Sequence, residues 1–258
     1  MEGAFYRLPE ILFGSFQPRH QYEATLAGHY AMALLLELNS RNIEAPQGRI
    51  HLEYPYSLDS PQRIHRVDLH VDLRGVLPGP VGLQPYGVLD RNWIEAKYFV
   101  ARARTDRTQD KSRNAANIAQ DVLRLCLNTV EERSSTRHNG RYLLGVFNRE
   151  PSEYLPRAGA VEWLRGLLQA GTRTIAIKPR GASYDLEVET TTYAFEPLRP
   201  EAIGYYWGYL VRIRRYTVAA GELRLEYSDF SKEMWSEEKV RTQAALAQRL
   251  LRASRLRT

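Results

Sequence analysis

The chain has 258 residues, of which 43% are hydrophobic and 26% are charged, proportions typical of a soluble globular protein. No apolar run is near the roughly 18 residues that a membrane span needs, the single cysteine excludes an internal disulfide and a multi-cysteine zinc site, and the N-terminus lacks a signal-peptide pattern. We therefore expect a cytoplasmic protein with no membrane partner, and the net charge of +6 is compatible with a nucleic-acid partner.

The first 150 residues carry the patterns of an α/β unit. Residues 1–18 are mixed and include Pro9 and Gly14, so we expect a segment that follows the surface or forms a short edge element. Beyond them, apolar residues recur at three- and four-residue steps in the predicted helices and alternate in the predicted strands. These elements are a helix over 19–41, strands over 49–54, 64–73 and 93–100, a helix over 114–132 and a strand over 141–148.

The remaining residues predict a mixture of helices and strands. The only candidate boundary is the segment 151–156, which divides the chain into 1–150 and a C-terminal α+β extension over 151–258. The extension is either a smaller module or a continuation of the same domain. Its predicted elements are a helix over 161–170, strands over 174–177, 186–195, 206–218 and 223–227, and a helix over 237–257.

Two of the predicted strands carry acidic side chains among their apolar residues. Asp68 lies on the second strand, and Glu95 and Lys97 lie two residues apart on the third, so that their side chains share one face. Two carboxylates can hold a hard cation such as Mg²⁺ through oxygen. The cation would polarise a phosphoryl oxygen and lower the pKa of a bound water, and the lysine would orient that water. The pattern therefore indicates metal-assisted hydrolysis of a phosphodiester.

These residues resemble a known motif. A valine followed by Asp68, and after a gap of 26 residues Glu95-Ala96-Lys97, is similar to the PD-(D/E)XK nuclease motif, with the valine in place of its proline. The resemblance implies a restriction-endonuclease-like core within residues 1–150, in which helices flank a central mixed sheet in the order αβββαβ. It also implies that Asp68, Glu95 and the carbonyl of Ala96 bind Mg²⁺ or Mn²⁺, that Lys97 is catalytic, and that Glu23 on the first predicted helix reaches the metal through water.

Neighbouring residues leave alternatives open. Asp72 lies on the same face as Asp68 and is the alternative metal ligand. His70, between them, is interpreted as solvent-facing or close to the substrate, with a general-base role as the alternative. Glu23 is equally explained as an acid that the helix dipole favours in a first turn. Cys126 lies on an apolar stripe and is assigned to the core.

Basic residues flank the candidate site. The segment that leaves the third strand is expected to hold the phosphate backbone through Arg102, Arg104, Arg107, Lys111 and Arg113. The C-terminal helix carries arginines and no acid from residue 241 onwards, and it either binds nucleic acid or is a solvated tail. Aromatic residues near the strands are assigned to the core, with base stacking as the alternative; they are Tyr54, Tyr56, Tyr86 and Trp93.

The resemblance and the charge together predict a Mg²⁺-dependent endodeoxyribonuclease that acts on DNA in restriction, anti-phage defence or repair. A homodimer is a candidate arrangement, because cutting both strands needs two sites. Two alternatives stay open. One is a nucleic-acid-binding module of the same fold that does not cut, and the other is a ribonuclease, since basic charge suits DNA and RNA alike.

Overall fold

The computed structural model of the chain describes residues 1–14, 23–57, 64–76, 89–99, 109–127, 139–156, 161–178, 184–196 and 206–228. These residues form an α/β structure in which helices flank a mixed multistranded sheet. None of the helices in these ranges is long and apolar enough to cross a membrane.

The described ranges contain four α-helices and eight strands. The helices are α1 (Glu2–Gly14), α2 (Glu23–Ser40), α3 (Gln109–Leu127) and α4 (Glu162–Leu167). The strands are β1 (Ile50–Ser57), β2 (Ile64–Asp72), β3 (Arg91–Phe99), β4 (Asn139–Phe147), β5 (Gly171–Ile177), β6 (Asp185–Phe195), β7 (Trp207–Ala220) and β8 (Leu223–Ser228). Two short 3-10 helices, Pro46–Arg49 and Pro151–Glu153, precede β1 and follow β4.

All of these strands belong to one sheet. Seven run in the order β1-β2-β3-β4-β7-β6-β5, and β8 pairs with the second half of β7. β3 and β4 are parallel, and the other described pairs are antiparallel. β7 comes from the second half of the chain and pairs with β4 from the first. The described strands after residue 150 therefore continue the sheet that the earlier strands begin.

Two hydrophobic clusters hold the helices against the sheet. In the first, Leu26 and Tyr30 of α2 are buried together with Leu69 of β2, and α1 belongs to the same cluster. In the second, Ile118 and Val122 of α3 are buried with residues of β4 to β8 and α4. The buried residues of α2 and α3 recur every three or four positions, as the sequence predicts. The sheet therefore lies between two helical layers.

Helix α1 corrects the sequence analysis, which expected residues 1–18 to follow the surface or to form a short edge element. Ala4, Phe5, Leu8 and Leu12 are almost completely buried, and their spacing places them on one face of the helix, in the cluster that contains α2. Pro9 lies inside α1 and removes a backbone donor, which favours an irregular structure locally. Burial of four apolar side chains outweighs that local preference.

Helix α3 begins at Gln109, before the predicted start at residue 114. Lys111 and Arg113 therefore lie on a helix and not in a connecting loop. The other basic residues predicted to hold phosphate, Arg102, Arg104 and Arg107, lie outside the described residues, as does the predicted C-terminal helix over 237–257. Cys126 is completely buried in the cluster around α3, which confirms its assignment to the core.

Candidate active site

Asp68 and Glu95 lie where two neighbouring strands stop pairing. The antiparallel pairing of β2 with β3 ends at Leu69 opposite Ile94, and Asp68 and Glu95 occupy the next position on each strand. Oδ2 of Asp68 accepts a hydrogen bond of 2.7 Å from the backbone N–H of Ala96. The carboxylate thus accepts a hydrogen bond from a backbone N–H group that lies beyond the end of the β2–β3 pairing. This bond fixes the Asp68 carboxylate against β3, beside Glu95.

The carboxyl group of Glu95 is buried in an acidic environment. Only 4% of the residue is exposed. Burial and the charges of Asp68 and Asp121 raise the pKa of Glu95 well above its ordinary value, and the charges of Lys97 and Arg124 oppose that rise only in part. Negative charges held close together away from water attract a cation strongly. The position therefore has the electrostatics of a cation site.

The ammonium group of Lys97 lies beside acids from two helices. Its Nζ is 3.3 Å from Oε2 of Glu23 on α2 and 3.4 Å from Oδ2 of Asp121 on α3. Burial lowers the pKa of Lys97, but the charges of four carboxylates, led by Asp121, outweigh burial, so that the pKa lies above its ordinary value. Lys97 therefore carries its proton at neutral pH and acts as a donor and a positive charge, not as a base.

The structure brings together the four side chains that the motif and the first helix predict. Glu95 and Lys97 share one face of β3, and the Asp68 carboxylate is bonded at the residue between them. Glu23 lies in the first turn of α2, where its half-exposed carboxylate contacts the Lys97 ammonium. The ion pair with Lys97 therefore explains an acid at position 23 as well as the helix dipole does.

Asp121 belongs to this site and was missed by the sequence analysis. It lies on α3, its side chain is 5% exposed, and its two oxygens face two cations. Oδ2 is 3.4 Å from Nζ of Lys97, and Oδ1 is 3.4 Å from Nη1 of Arg124. Burial raises the pKa of Asp121 despite both cations. The signal that could have found it is an acid in the apolar stripe, three residues after Ile118 and four before Leu125.

Asp72, the alternative metal ligand, lies at the other end of the pairing between β2 and β3, opposite Arg91. Its Oδ1 accepts hydrogen bonds from the backbone N–H and the Nε of Arg74, at 3.0 and 2.9 Å. Burial would raise the pKa of Asp72, but the hydrogen bonds from Arg74 outweigh it and the pKa is lowered. The geometry therefore groups Asp68, and not Asp72, with Glu95.

His70 is buried, so the expectation of a solvent-facing side chain is wrong. Its ring packs 4.3 Å from the ring of Tyr54 and 4.5 Å from that of Trp93, measured between centroids. Burial lowers the pKa of His70 to about 4, which keeps the ring neutral. Neither ring nitrogen has a hydrogen-bond partner among the described residues. Tyr54 and Trp93 thus pack inside the structure at this point, whereas the Tyr56 side chain and Tyr86 lie outside what the structure describes.

The described basic residues near the site differ in their contacts. Nζ of Lys111 donates a hydrogen bond of 2.7 Å to the carbonyl of Ser152, which ties α3 to the segment after β4. Arg113 is exposed on the same helix. Arg124, which sequence reasoning also missed, has a side chain that is about one-third exposed and lies beside Asp121. It is therefore a cation at the edge of the acidic site that solvent and a ligand can reach.

The residues present suit a hard divalent cation. Asp68, Glu95 and the carbonyl of Ala96 supply oxygen, which Mg²⁺ and Mn²⁺ prefer. The excess of negative charge around the buried Glu95 is the observation that supports a cation there. Within the described ranges, no three or more histidine, cysteine, aspartate and glutamate side chains form a group that could hold a metal ion. The two carboxylates would therefore need the carbonyl and water to complete the coordination.

The chain was compared with family models, with curated proteins and with solved structures, and nothing matched. The chemistry of the site is thus the basis on which a function can be assigned to this fold.

Proposed function

We propose that this protein is a Mg²⁺-dependent endodeoxyribonuclease built on a restriction-endonuclease-like core. The observation that carries the proposal is the placement of Asp68 and Glu95 side by side at the end of the β2–β3 pairing, with Lys97 on the same strand face as Glu95. The order α2-β1-β2-β3-α3-β4 supports the fold, because it agrees with the order of helices and strands in that core. The net charge of +6 supports a polyanionic substrate.

The carboxylates and the lysine have separate roles in this reaction. Mg²⁺, when bound, supplies Lewis-acid activation of the phosphoryl group and of water. Asp68 and Glu95 hold it, with the first fixed by the Ala96 N–H. Lys97 keeps a proton on Nζ, so it donates a hydrogen bond to the attacking water or to a phosphate oxygen and stabilises the negative charge that develops there. Glu23 and Asp121 hold the ammonium in place.

Basic residues around the site hold the DNA backbone in this proposal. Arg124 is close enough to the acidic cluster to act on Glu95 electrostatically and is exposed enough to meet a phosphate. Arg113 adds a second exposed cation on α3. Arg102, Arg104 and Arg107 precede this helix in the sequence, and in this proposal they also bind phosphate. A homodimer would supply a second site for the second strand, in a protein of restriction, anti-phage defence or repair.

The test is a digest in which nucleic acid and metal are varied together. Wild type, Lys97→Ala and Lys178→Ala are incubated with supercoiled plasmid, linear duplex, single-stranded DNA and RNA, each with Mg²⁺, Mn²⁺ or EDTA. Lys178 is the matched control, because it is an exposed lysine paired only loosely, at 3.9 Å, with the exposed carboxylate of Asp185. We expect wild type and Lys178→Ala to cut DNA with metal and not with EDTA. Lys97→Ala should lose about 100-fold or more of the rate.

Three results would contradict the proposal. Full activity in Lys97→Ala would exclude the assigned mechanism. Cutting of RNA alone would identify a ribonuclease. Binding of DNA without metal-dependent cutting by the wild type would identify a binding module of the same fold.

A further inference from the structure

Asp121 is an acid at a buried position whose neighbours on the helix are apolar. It lies on the inner stripe of α3, between Ile118 and Leu125, and 3% of the residue is exposed. Burial raises the pKa of its carboxyl group, so the ionised form is unfavourable there. Replacing a buried ion pair such as Asp121–Lys97 by apolar residues of similar volume is often neutral or stabilising, so such a pair is weak evidence of a stabilising role. Stability alone therefore does not account for an aspartate at this position.

The contacts of Asp121 lead to the catalytic lysine. One carboxylate oxygen lies 3.4 Å from Nζ of Lys97, and the other lies 3.4 Å from Nη1 of Arg124 on the next turn of α3. The carboxylate thus bridges a lysine on the sheet and an arginine at the surface. Since α3 packs against β3 and β4, the helix sets the position of the carboxylate and the carboxylate sets the position of the ammonium.

Asp121 restrains Lys97 more firmly than Glu23 does. The Glu23 side chain is 49% exposed and that of Asp121 is 5% exposed. Solvent screens an exposed ion pair, and a long exposed side chain samples several rotamers, whereas a buried short side chain is neither screened nor free. The direction of the Lys97 side chain therefore depends mainly on α3.

We infer that Asp121 is the positioning residue for Lys97, and this inference rests on the function proposed above. Asp121 contacts Lys97 and Arg124, and in this inference it acts by keeping the ammonium away from Asp68 and Glu95. Asp68 and Glu95 also attract Lys97 electrostatically. Without Asp121, the ammonium would move toward these two carboxylates and compete there with the divalent cation. Loss of Asp121 should therefore weaken metal binding as well as catalysis.

The experiment compares Asp121→Asn, Asp121→Glu and Glu37→Gln with the wild type. Glu37 is the matched control, because it is also a buried acid between two cations, at the contact of α1 with α2 and outside the site. The measurements are kcat, the KM for plasmid DNA, the Mg²⁺ concentration that gives half-maximal rate, and the Tm in EDTA.

The expected pattern separates positioning from structural support. Asp121→Asn should lower kcat by about 10-fold or more and raise the Mg²⁺ requirement, since changes to groups that orient a site typically cost about 10–100-fold. Its KM for DNA should stay within about twofold of wild type, because uniform substrate binding is untouched, and its Tm should be unchanged or higher. Asp121→Glu keeps the charge and should recover part of kcat. Glu37→Gln should lower the Tm and leave kcat unchanged.

Wild-type kcat and Mg²⁺ requirement in a folded Asp121→Asn would overturn the inference. So would a fall of kcat together with the Tm in both Asp121 variants, which would indicate a purely structural role. If the wild type cuts no substrate under any metal condition, the proposed function fails and this inference with it. If the wild type cuts and Asp121→Asn cuts equally well, the inference alone fails.

Discussion

Two buried carboxylates in this protein each face two cations, and they differ in electrostatics. Glu37 on α2 accepts hydrogen bonds of 2.9 Å from Nε of Arg7 and 2.7 Å from Nε of Arg41. Burial would raise the pKa of Glu37, but the hydrogen bonds from the two arginines outweigh burial and the pKa is lowered. The ionised form of Glu37 is therefore stabilised by the fold, and the group links α1 to α2.

Asp121 shows the opposite balance. Its two cation contacts are both 3.4 Å, and its pKa is raised because burial outweighs them. It shares its surroundings with Glu23, whose charge raises the pKa further, and it raises the pKa of Glu95 in turn. The comparison shows that two nearby cations are not enough for the ionised form of a buried acid to stabilise the fold. At Glu37 the short hydrogen bonds from Arg7 and Arg41 stabilise the ionised form. At Asp121 the cation contacts are longer, and the charge of Glu23 opposes ionisation.

Removing charge from the acidic site gives the largest expected effect. Glu95→Gln should lower cleavage by about 100-fold or more, since the proposed function makes Glu95 a metal ligand, and should raise the Tm in EDTA. The folded-state pKa of Glu95 is raised, so at neutral pH the ionised carboxylate destabilises the fold, and the uncharged amide relieves that cost. Plasmid cleavage and thermal unfolding at pH 7 measure both effects. Glu187→Gln, at an exposed position on β6, is the control and should change neither. A lower Tm in Glu95→Gln would break the comparison.

His70 extends the comparison to a buried group that stays neutral. Its pKa is lowered from 6.5 to about 4 by burial, so the unfolded chain binds a proton that the folded chain excludes. Stability is complete above pH 6.5 and falls as the pH drops toward 4, by about 3 kcal/mol for this group. His70→Phe should lose less stability than the wild type over that range in denaturant unfolding. His51→Phe changes the neighbouring ring and should keep most of the wild-type pH dependence, because burial, and not the charge of His51, is the main cause of the lowered pKa of His70. Equal acid sensitivity in His70→Phe would exclude His70 as the source.

Glu37→Gln is expected to lower the free energy of unfolding by less than protonation of His70 does at low pH. The variant removes two charged hydrogen bonds but leaves two partly exposed arginines that water can solvate, so the free energy of unfolding should fall by about 1 kcal/mol. Urea unfolding at pH 7 measures the change. Arg66→Gln, which breaks an exposed pair with Glu53, is the control and should cost less. A loss of cleavage in Glu37→Gln would show that this link also supports the active site.

Reversing the charge of the basic residues predicted to hold phosphate should have the smallest effects, and these should concern DNA binding. Charge reversal at Arg102, Arg104 and Lys111 should weaken DNA binding and flatten its salt dependence by about one unit of slope for each phosphate that the variant no longer binds. Arg224→Glu on β8 is the control, because it reverses an exposed charge on a strand that does not pair with β3 or β4. Binding measured between low and moderate salt reports the slope. An unchanged slope would show that these residues do not bind phosphate.

Much of the candidate site could be predicted because it lies on strands with a clear period. Asp68, Glu95 and Lys97 alternate with apolar residues, so the sequence predicts both the strands and the shared face of Glu95 and Lys97. It does not show which helix covers that face, and for this reason Asp121 was missed although it is an acid in an apolar stripe. Only tertiary packing places α3 beside Lys97.

Two local preferences misled the sequence analysis. Pro9 and Gly14 indicated a surface segment or a short edge element, but the burial of Phe5, Leu8 and Leu12 against a partner helix outweighs the proline. His70 was expected to face solvent because it lies on the polar face of its strand. In the structure, Tyr54 and Trp93 enclose it, and aromatic contacts between neighbouring strands cannot be read from the period of one strand.

The position of β4 in the sheet has a consequence for the order in which the chain folds. All nine residues of β4 are buried, and the strand pairs with β3 on one side and with residues 207–213 of β7 on the other. A ribosome that has released only the first 150 residues would leave one edge of this apolar strand unpaired and prone to aggregation. Such long-range pairing also forms slowly, because the intervening chain must first be brought into place. The sheet around the strand that carries Glu95 and Lys97 is therefore completed only after residues 207–213 have been synthesised and have paired with β4.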